Sequence, residues 1–224
     1  MKLAIFDVDG TLVDSQAMIA ASLTAAFSAE GLALPQRSRM MSIVGLSLVD
    51  AMAALAPDHG AAGHQRLAAA YKEAFWQHRA RGEHTEELFP GAHELLLKLR
   101  ARDDVALGIA TGKSRRGVAH LIERHGYEGW FATIQTSDDH PSKPHPSMIV
   151  TALAETGASP SAAIMVGDTT FDVAMARAAG VGAAGVAWGN HAAGDLVKAG
   201  AHSISNDFNE LELHLDSLWQ ERMR

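Results

Sequence analysis

The chain opens with a short apolar run, Leu3–Asp7, that stops abruptly at Asp7-Val8-Asp9-Gly10. A brief unbroken apolar stretch bounded by a polar stop reads as a buried strand. Three later segments repeat the figure. Val105–Ala110 ends at Thr111-Gly112, Ala163–Val166 at Gly167-Asp168, and Gly182–Trp188 at Gly189-Asn190. Phe131–Gln135 is a weaker version that runs into Thr136-Ser137-Asp138-Asp139. Between these lie helical patterns over Ala92–Arg102, Ser114–His125, Pro146–Glu155 and Phe171–Ala179. Strands alternating with helices predict an α/β fold, a parallel sheet with helices on both faces.

The gap after the first strand is different. From about Ser15 to Glu86 there is no strand signal. Ala17–Glu30, Ser47–Ala56 and Gly63–Arg81 have helix-rich composition and are punctuated by Gly31, Pro35, Gly45 and Pro57. The expected organisation is therefore a sheet domain of residues 1–14 and 87–224, with residues 15–86 forming a separate helical insertion. Leu88–Gly91 would lead back into the sheet domain. No internal repeat is evident.

Composition narrows the function classes. The 224 residues suffice for one domain with a modest insertion. A net charge of −7 argues against a nucleic-acid surface, which would normally be basic, but not against an anionic ligand in a cleft. The absence of cysteine removes disulfides, thiolate catalysis and thiolate metal sites. The first apolar run is too short for a signal peptide, and the Gly-rich stretch Ala178–Trp188 is too short for a membrane span. The expectation is a soluble cytoplasmic protein, monomer or homodimer, with no nucleic-acid or membrane partner.

In open parallel sheets ligands bind beyond the carboxyl ends of the strands. Asp7, Asp9, Thr111, Lys143 and Asp168 all follow predicted strands and share that edge. Asp7 and Asp9 are two carboxylates at a strand tip, with Gly10 permitting the turn between them. Asp168 and Asp172 lie one helical turn apart and face the same side. Each piece alone has an ordinary reading: a turn or helix cap for Asp7 and Asp9, an acid-enriched helix start for Asp168 and Asp172, an N-cap for Thr111, a solvated loop residue for Lys143. Together, four carboxylates on one edge repel one another unless a cation joins them. An oxygen-only donor set suits a hard ion such as Mg2+. Thr111 and Gly112 supply a hydroxyl and an amide for an anion at a helix start.

In order, DVDGT, ATG, KPHP and GDTTFD resemble the four motifs of the haloacid dehalogenase superfamily of hydrolases. DGTLVDS, LFPG and KPHP are similar to its phosphoglycolate phosphatase-like branch, whose helical cap the insertion also resembles. The resemblance spans essentially the whole chain. It implies a Rossmann-like core with an inserted α-helical cap, and a Mg2+-dependent phosphatase acting on a small phosphorylated metabolite. It further implies Asp7 as nucleophile, Asp9 as general acid and base, Thr111 and Gly112 on the phosphoryl group, and Lys143 as the neutralising cation. Mg2+ would be held by Asp7, the Asp9 carbonyl and Asp168, with Asp172 supporting the metal's water shell or Lys143. Gly45–Ser47 is the candidate substrate loop, Gly45 and Ser47 its substrate-binding residues.

Other readings fit less well. A dehalogenase of the superfamily would lack the second acid, Asp9. A phosphonatase would need a cap lysine for a Schiff base, and the insertion has only Lys72, on a predicted helix. A sugar-phosphate mutase would carry an arginine after the loop glycine, where Val44–Val49 has no cation. A pyrophosphatase stays open. A phospho-accepting receiver has no helical cap, and a non-catalytic binding relative would not need Asp7, Asp9, Lys143 and Asp168 intact. A carboxylated substrate such as phosphoglycolate would need a donor or cation from the cap, with Ser47, Arg37, Arg39 and Arg79 as candidates. Phe75 and Trp76 are expected in the cap core, Met40 and Met41 in packing, Lys113–Arg116 on a solvated helix face, and His140 and His145 in a loop without metal duty.

Overall fold

A computed structural model describes residues 1–224. Strand β1 (Lys2–Phe6) is followed by a two-residue β2 (Val13–Asp14). Helices α1 (Gln16–Ala29), α2 (Arg37–Met41), α3 (Leu48–Leu55) and α4 (Gly60–Ala80) come next, with no strand among them. The chain then returns through β3 (Glu87–Leu88) to α5 (Ala92–Arg100), β4 (Val105–Thr111), α6 (Arg115–His125), β5 (Phe131–Thr136) and α7 (Ser147–Thr156). It finishes with β6 (Ala163–Gly167), α8 (Thr170–Ala178), β7 (Gly182–Val186), α9 (Ala193–Ala199), β8 (Ser203–Ser205) and α10 (Phe208–Arg222).

Six strands form one parallel sheet in the order β5-β4-β1-β6-β7-β8. Alternation along β1 explains why its apolar run is continuous. Ala4 and Phe6 pack with α5, α6 and α10 on one face, while Leu3 and Ile5 pack with α7, α8 and α9 on the other. All four are fully buried, and each large side chain contributes roughly 1.5–3 kcal/mol. β1 therefore lies at the centre of the sheet, and its carboxyl end opens between β4 and β6.

The helices of the insertion bury their own cluster of 12 residues, all between Ile19 and Ala68, with Met40 and Met41 among them. The two crossings between insertion and sheet pair with each other: β2 and β3 run antiparallel, Val13 opposite Leu88. Three contacts close the insertion onto the sheet edge. The Ser47 amide donates to Ser142 Oγ at 2.8 Å, and His191 Nε2 lies 3.2 Å from the Ser42 carbonyl oxygen. At the third, a Cβ on Gly112 would fall 2.6 Å from the Gly45 carbonyl oxygen and 2.7 Å from that of Leu46. No helix is long and apolar enough to cross a membrane.

One expectation needed revision, and three elements were not foreseen. The strand expected over Gly182–Trp188 stops at Val186, after which Trp188 leaves the ladder and its indole N–H donates to the Thr11 carbonyl at 3.0 Å. β8 and the two last helices were not anticipated. Yet α10 carries a readable signal: an Asp207 cap followed by Phe208, Leu211, Leu215, Leu218 and Trp219, all buried at helical spacing.

Candidate active site

Asp7 is the first residue beyond β1, its amide still held by the Val166 carbonyl at 2.9 Å. The chain turns at Gly10, whose φ of +87° and close quarters exclude a side chain: a Cβ there would lie 2.3 Å from both Asp168 Oδ2 and Asn190 Nδ2. The turn brings Thr11 back to the site, where its hydroxyl donates to Asp168 Oδ1 at 2.9 Å. Asp168, just past β6, also accepts from the Asn190 amide at 2.7 Å and from its Nδ2 at 2.9 Å. Asp172 sits in the first turn of α8, fixed by a capping box: the Thr169 amide and hydroxyl donate to its Oδ2 at 3.0 and 2.7 Å. Lys143, fully buried, reaches from the loop before α7 to Asp172 Oδ1 at 2.6 Å and lies 3.0 Å from Asp7 Oδ1.

Oxygens of Asp7, Asp168 and Asp172 lie within 4.8 Å of one another, all three buried. Against them stands Lys143 alone, so two negative charges are unbalanced when all are ionised. Burial pushes the Asp7 carboxyl up to about 6 despite Lys143, with the Asp172 and Asp9 charges adding to the rise. Burial likewise pushes Asp168 up to about 7, aided by Asp172 and Asp7. Burial opposes the charge on Lys143, but Asp172 and Asp7 outweigh it and hold the ammonium above the ordinary lysine range. Both oxygens of Asp7 are buried without a hydrogen-bond partner, Lys143 facing Oδ1 as an ion pair at 3.0 Å. Asn190 Oδ1, beside Asp168, is equally unpartnered. Orphaned oxygens in an oxygen-only, over-negative cluster are what a hard divalent cation fits. The cluster could bind a metal ion.

Asp9 lies apart from these three carboxylates. Lys113 Nζ donates to its Oδ1 at 2.7 Å and its Oδ2 at 3.1 Å, and to Glu86 Oε1 at 2.8 Å. Glu86 also pairs with Arg79 at the end of α4. Burial disfavours charge on Glu86, yet Lys113 and Arg79 overcome it and hold its carboxyl below the usual range. Lys113 is raised in turn, Asp9 and Glu86 outweighing its own burial. This corrects the expectation of a solvated face at Lys113. Arg116 is exposed as expected, its guanidinium packing 3.8 Å from the centre of the Trp76 ring.

A cavity of about 400 Å3 lies between insertion and sheet edge. Asp7, Asp9, Thr111, Gly112 and Lys113 line it from the sheet side, Gly45 and Ser47 from the insertion. Phe75 and Trp76 line it as well, half-buried, instead of filling the insertion's core. Ser47 is committed locally as the cap of α3, its hydroxyl donating to Asp50 Oδ2 at 2.7 Å. His140 bonds to Ser147 Oγ and Gln135 Oε1, both at 2.8 Å, and His145 is exposed. Neither belongs to the acidic cluster. Sequence reasoning passed over Thr11, Glu86 and Asn190 and placed Lys113 on a solvated face. Asn190 had a signal: it follows β7 on the same sheet edge.

Comparison with known proteins agrees with this geometry. The family model of haloacid dehalogenase-like hydrolases matches residues 4–186. The chain is 32% identical over 216 residues to "Probable phosphatase IndB" of Dickeya dadantii, covering 93% of this chain and 91% of that one. It is 31% identical to "Pyrophosphatase PpaX" of Bacillus pumilus, covering 84% of each. Among solved structures, a hydrolase from Pseudomonas syringae superposes with a TM-score of 0.84 at 26% identity, covering 97% of this chain and 99% of that one. The chain belongs to the haloacid dehalogenase-like hydrolase family. It is an enzyme, a hydrolase with the family's Rossmann-like fold.

Proposed function

We propose that this chain is a Mg2+-dependent phosphatase that hydrolyses a small phosphate monoester through an aspartyl-phosphate on Asp7. The observation that carries the reading is the Asp7 carboxylate: buried, without a hydrogen-bond partner, at the edge of the cavity and beside Lys143.

In the first step an Asp7 oxygen attacks phosphorus and the ester oxygen leaves with a proton from Asp9. In the second, Asp9 takes a proton from water as that water attacks the phosphorus of the acyl phosphate, releasing phosphate and restoring Asp7. Thr111 and the Gly112 amide hold the phosphoryl oxygens, and Lys143 offsets the repulsion between carboxylate and phosphate. Asp172 holds Lys143 in place. Asp7, Asp168 and the Asp9 carbonyl are the residues that would hold Mg2+. When bound, the ion supplies positive charge against the phosphoryl oxygens. Residues 15–86 act as the cap, with Gly45 and Ser47 in the loop that meets the substrate. Similarity to a pyrophosphatase favours pyrophosphate cleavage as the second reading, run by the same residues.

The test is turnover of p-nitrophenyl phosphate with Mg2+ and with EDTA. Activity that depends on Mg2+ and vanishes in Asp7→Asn is expected. Full activity in EDTA, or an active Asp7→Asn, overturns the reading.

A further inference from the structure

The cavity says more about the substrate than the motifs do. Half of its 24 lining residues are hydrophobic, and all of these come from the insertion. Leu46, Val49, Tyr71, Phe75 and Trp76, none of them fully buried, form this wall. Tyr71 adds no charge: burial, and then the nearby Asp9 and Glu86 carboxylates, push its hydroxyl further above the ordinary range.

Of the cations that a carboxylated or doubly phosphorylated substrate needs, the wall offers one unpaired, Lys72. Arg37 and Arg39 do not line the cavity, and Arg39 Nη2 donates to the Ala54 carbonyl at 2.9 Å. Arg79 is paired with Glu86 and lies over the Phe75 and Trp76 rings. Lys113 lines the cavity but is neutralised by Asp9 and Glu86. Asp138 adds a negative charge at the margin. Lys72, exposed on α4, is the one lining cation without an ion-pair partner. A carboxylate set against this wall would lose its water and gain little. A neutral ring there would bury apolar surface on both sides. A cavity of about 400 Å3 also falls within the usual range of small-molecule pockets, about 300–1,000 Å3. A two-carbon acid would leave much of the wall unfilled.

We propose, resting on the phosphatase reading above, that the substrate is the phosphate ester of a neutral, largely apolar, ring-sized alcohol. Phosphoglycolate and pyrophosphate are then poor substrates.

The test compares kcat/KM of the wild-type enzyme for benzyl phosphate, phosphoglycolate and pyrophosphate at saturating Mg2+. Benzyl phosphate and phosphoglycolate both release primary alcohols, so the comparison reads recognition. The expected preference for benzyl phosphate over either anion is at least about 10²-fold. Inhibition of p-nitrophenyl phosphate turnover by benzylphosphonate and phosphonoacetate should show the same order. Phe75→Ala should cut the ratio of benzyl phosphate to phosphoglycolate by about tenfold. If phosphoglycolate or pyrophosphate matches benzyl phosphate, the substrate inference is overturned and the phosphatase reading stands. If no ester is cleaved, the phosphatase reading fails and the inference fails with it. If Phe75→Ala is unstable, the two wild-type comparisons decide alone.

Discussion

Lys113 and Asp9 form a near-buried ion pair, with Nζ 2.7 Å from one carboxylate oxygen and 3.1 Å from the other. Glu86 completes the arrangement from the point where the insertion rejoins the sheet domain, 2.8 Å from the same ammonium. Lys113 thus ties the proposed acid and base to the end of the insertion just before β3, and Arg79 extends the tie to α4. Removing the cation leaves two carboxylates facing each other. Lys113→Met should cost on the order of 3 kcal/mol, the low end for a broken buried pair because Asp9 keeps some exposure. That corresponds to a melting temperature lower by roughly 6–12 °C in a protein of this size. Calorimetry checks it, and a shift below a degree would show that the pair contributes nothing.

Gly112 meets the cap loop backbone to backbone. A methyl group there would lie 2.6 Å from the Gly45 carbonyl oxygen, and neither side is a flexible side-chain end. Gly112→Ala should therefore hold the cap away from the sheet edge. KM should rise and kcat fall together, as for other obstructions of closure, with a loss in kcat/KM of about tenfold or more. Unchanged kinetics would mean that the close contact between Gly45 and Gly112 is not needed in catalysis.

At the proposed metal site, cation binding should depend on pH. Burial pushes Asp7 up to about 6 and Asp168 up to about 7 in the metal-free protein. Carboxyls raised in the folded state stabilise it below their unfolded values, near 4, and that contribution is lost as pH rises through 6 to 7. A divalent cation must displace these protons at low pH but meets free carboxylates at high pH. The rise in melting temperature on adding Mg2+ should accordingly be larger at pH 8 than at pH 5. Differential scanning fluorimetry reads this directly, and an equal or reversed effect would contradict the site.

Much of the site was legible because strand ends are local events. Asp7, Thr111 and Asp168 each stand where an apolar run stops, and the rule for parallel sheets places such stops on one edge. The structure brings all three there, with Lys143 and Asp172 beside them. Lys113 was not legible, because a lysine at the start of a helix looks solvated when its partners are 27 and 104 positions away in sequence. Phe75 and Trp76 were misread for a related reason: helical spacing shows that a face is apolar, not whether it meets a core or a cavity. Leu211, Leu215 and Trp219 of α10 were readable at their helical spacing.

In the proposed mechanism Asp7 forms a covalent bond to phosphorus while Asp9 moves the protons. Asp9→Asn should separate the two roles. It should slow benzyl phosphate more than p-nitrophenyl phosphate, by up to about 10²–10⁴-fold, because only the alkoxide needs an acid to leave. The same variant lacks the base for water attack, so the phosphoenzyme should accumulate. With Mg2+ binding first verified by thermal shift, the decisive measurement is mass spectrometry of Asp9→Asn quenched in acid after mixing with p-nitrophenyl phosphate. The account predicts one phosphoryl group on the peptide carrying Asp7 and a matching burst of nitrophenolate. A variant that binds Mg2+, shows no adduct and slows both esters equally would contradict it.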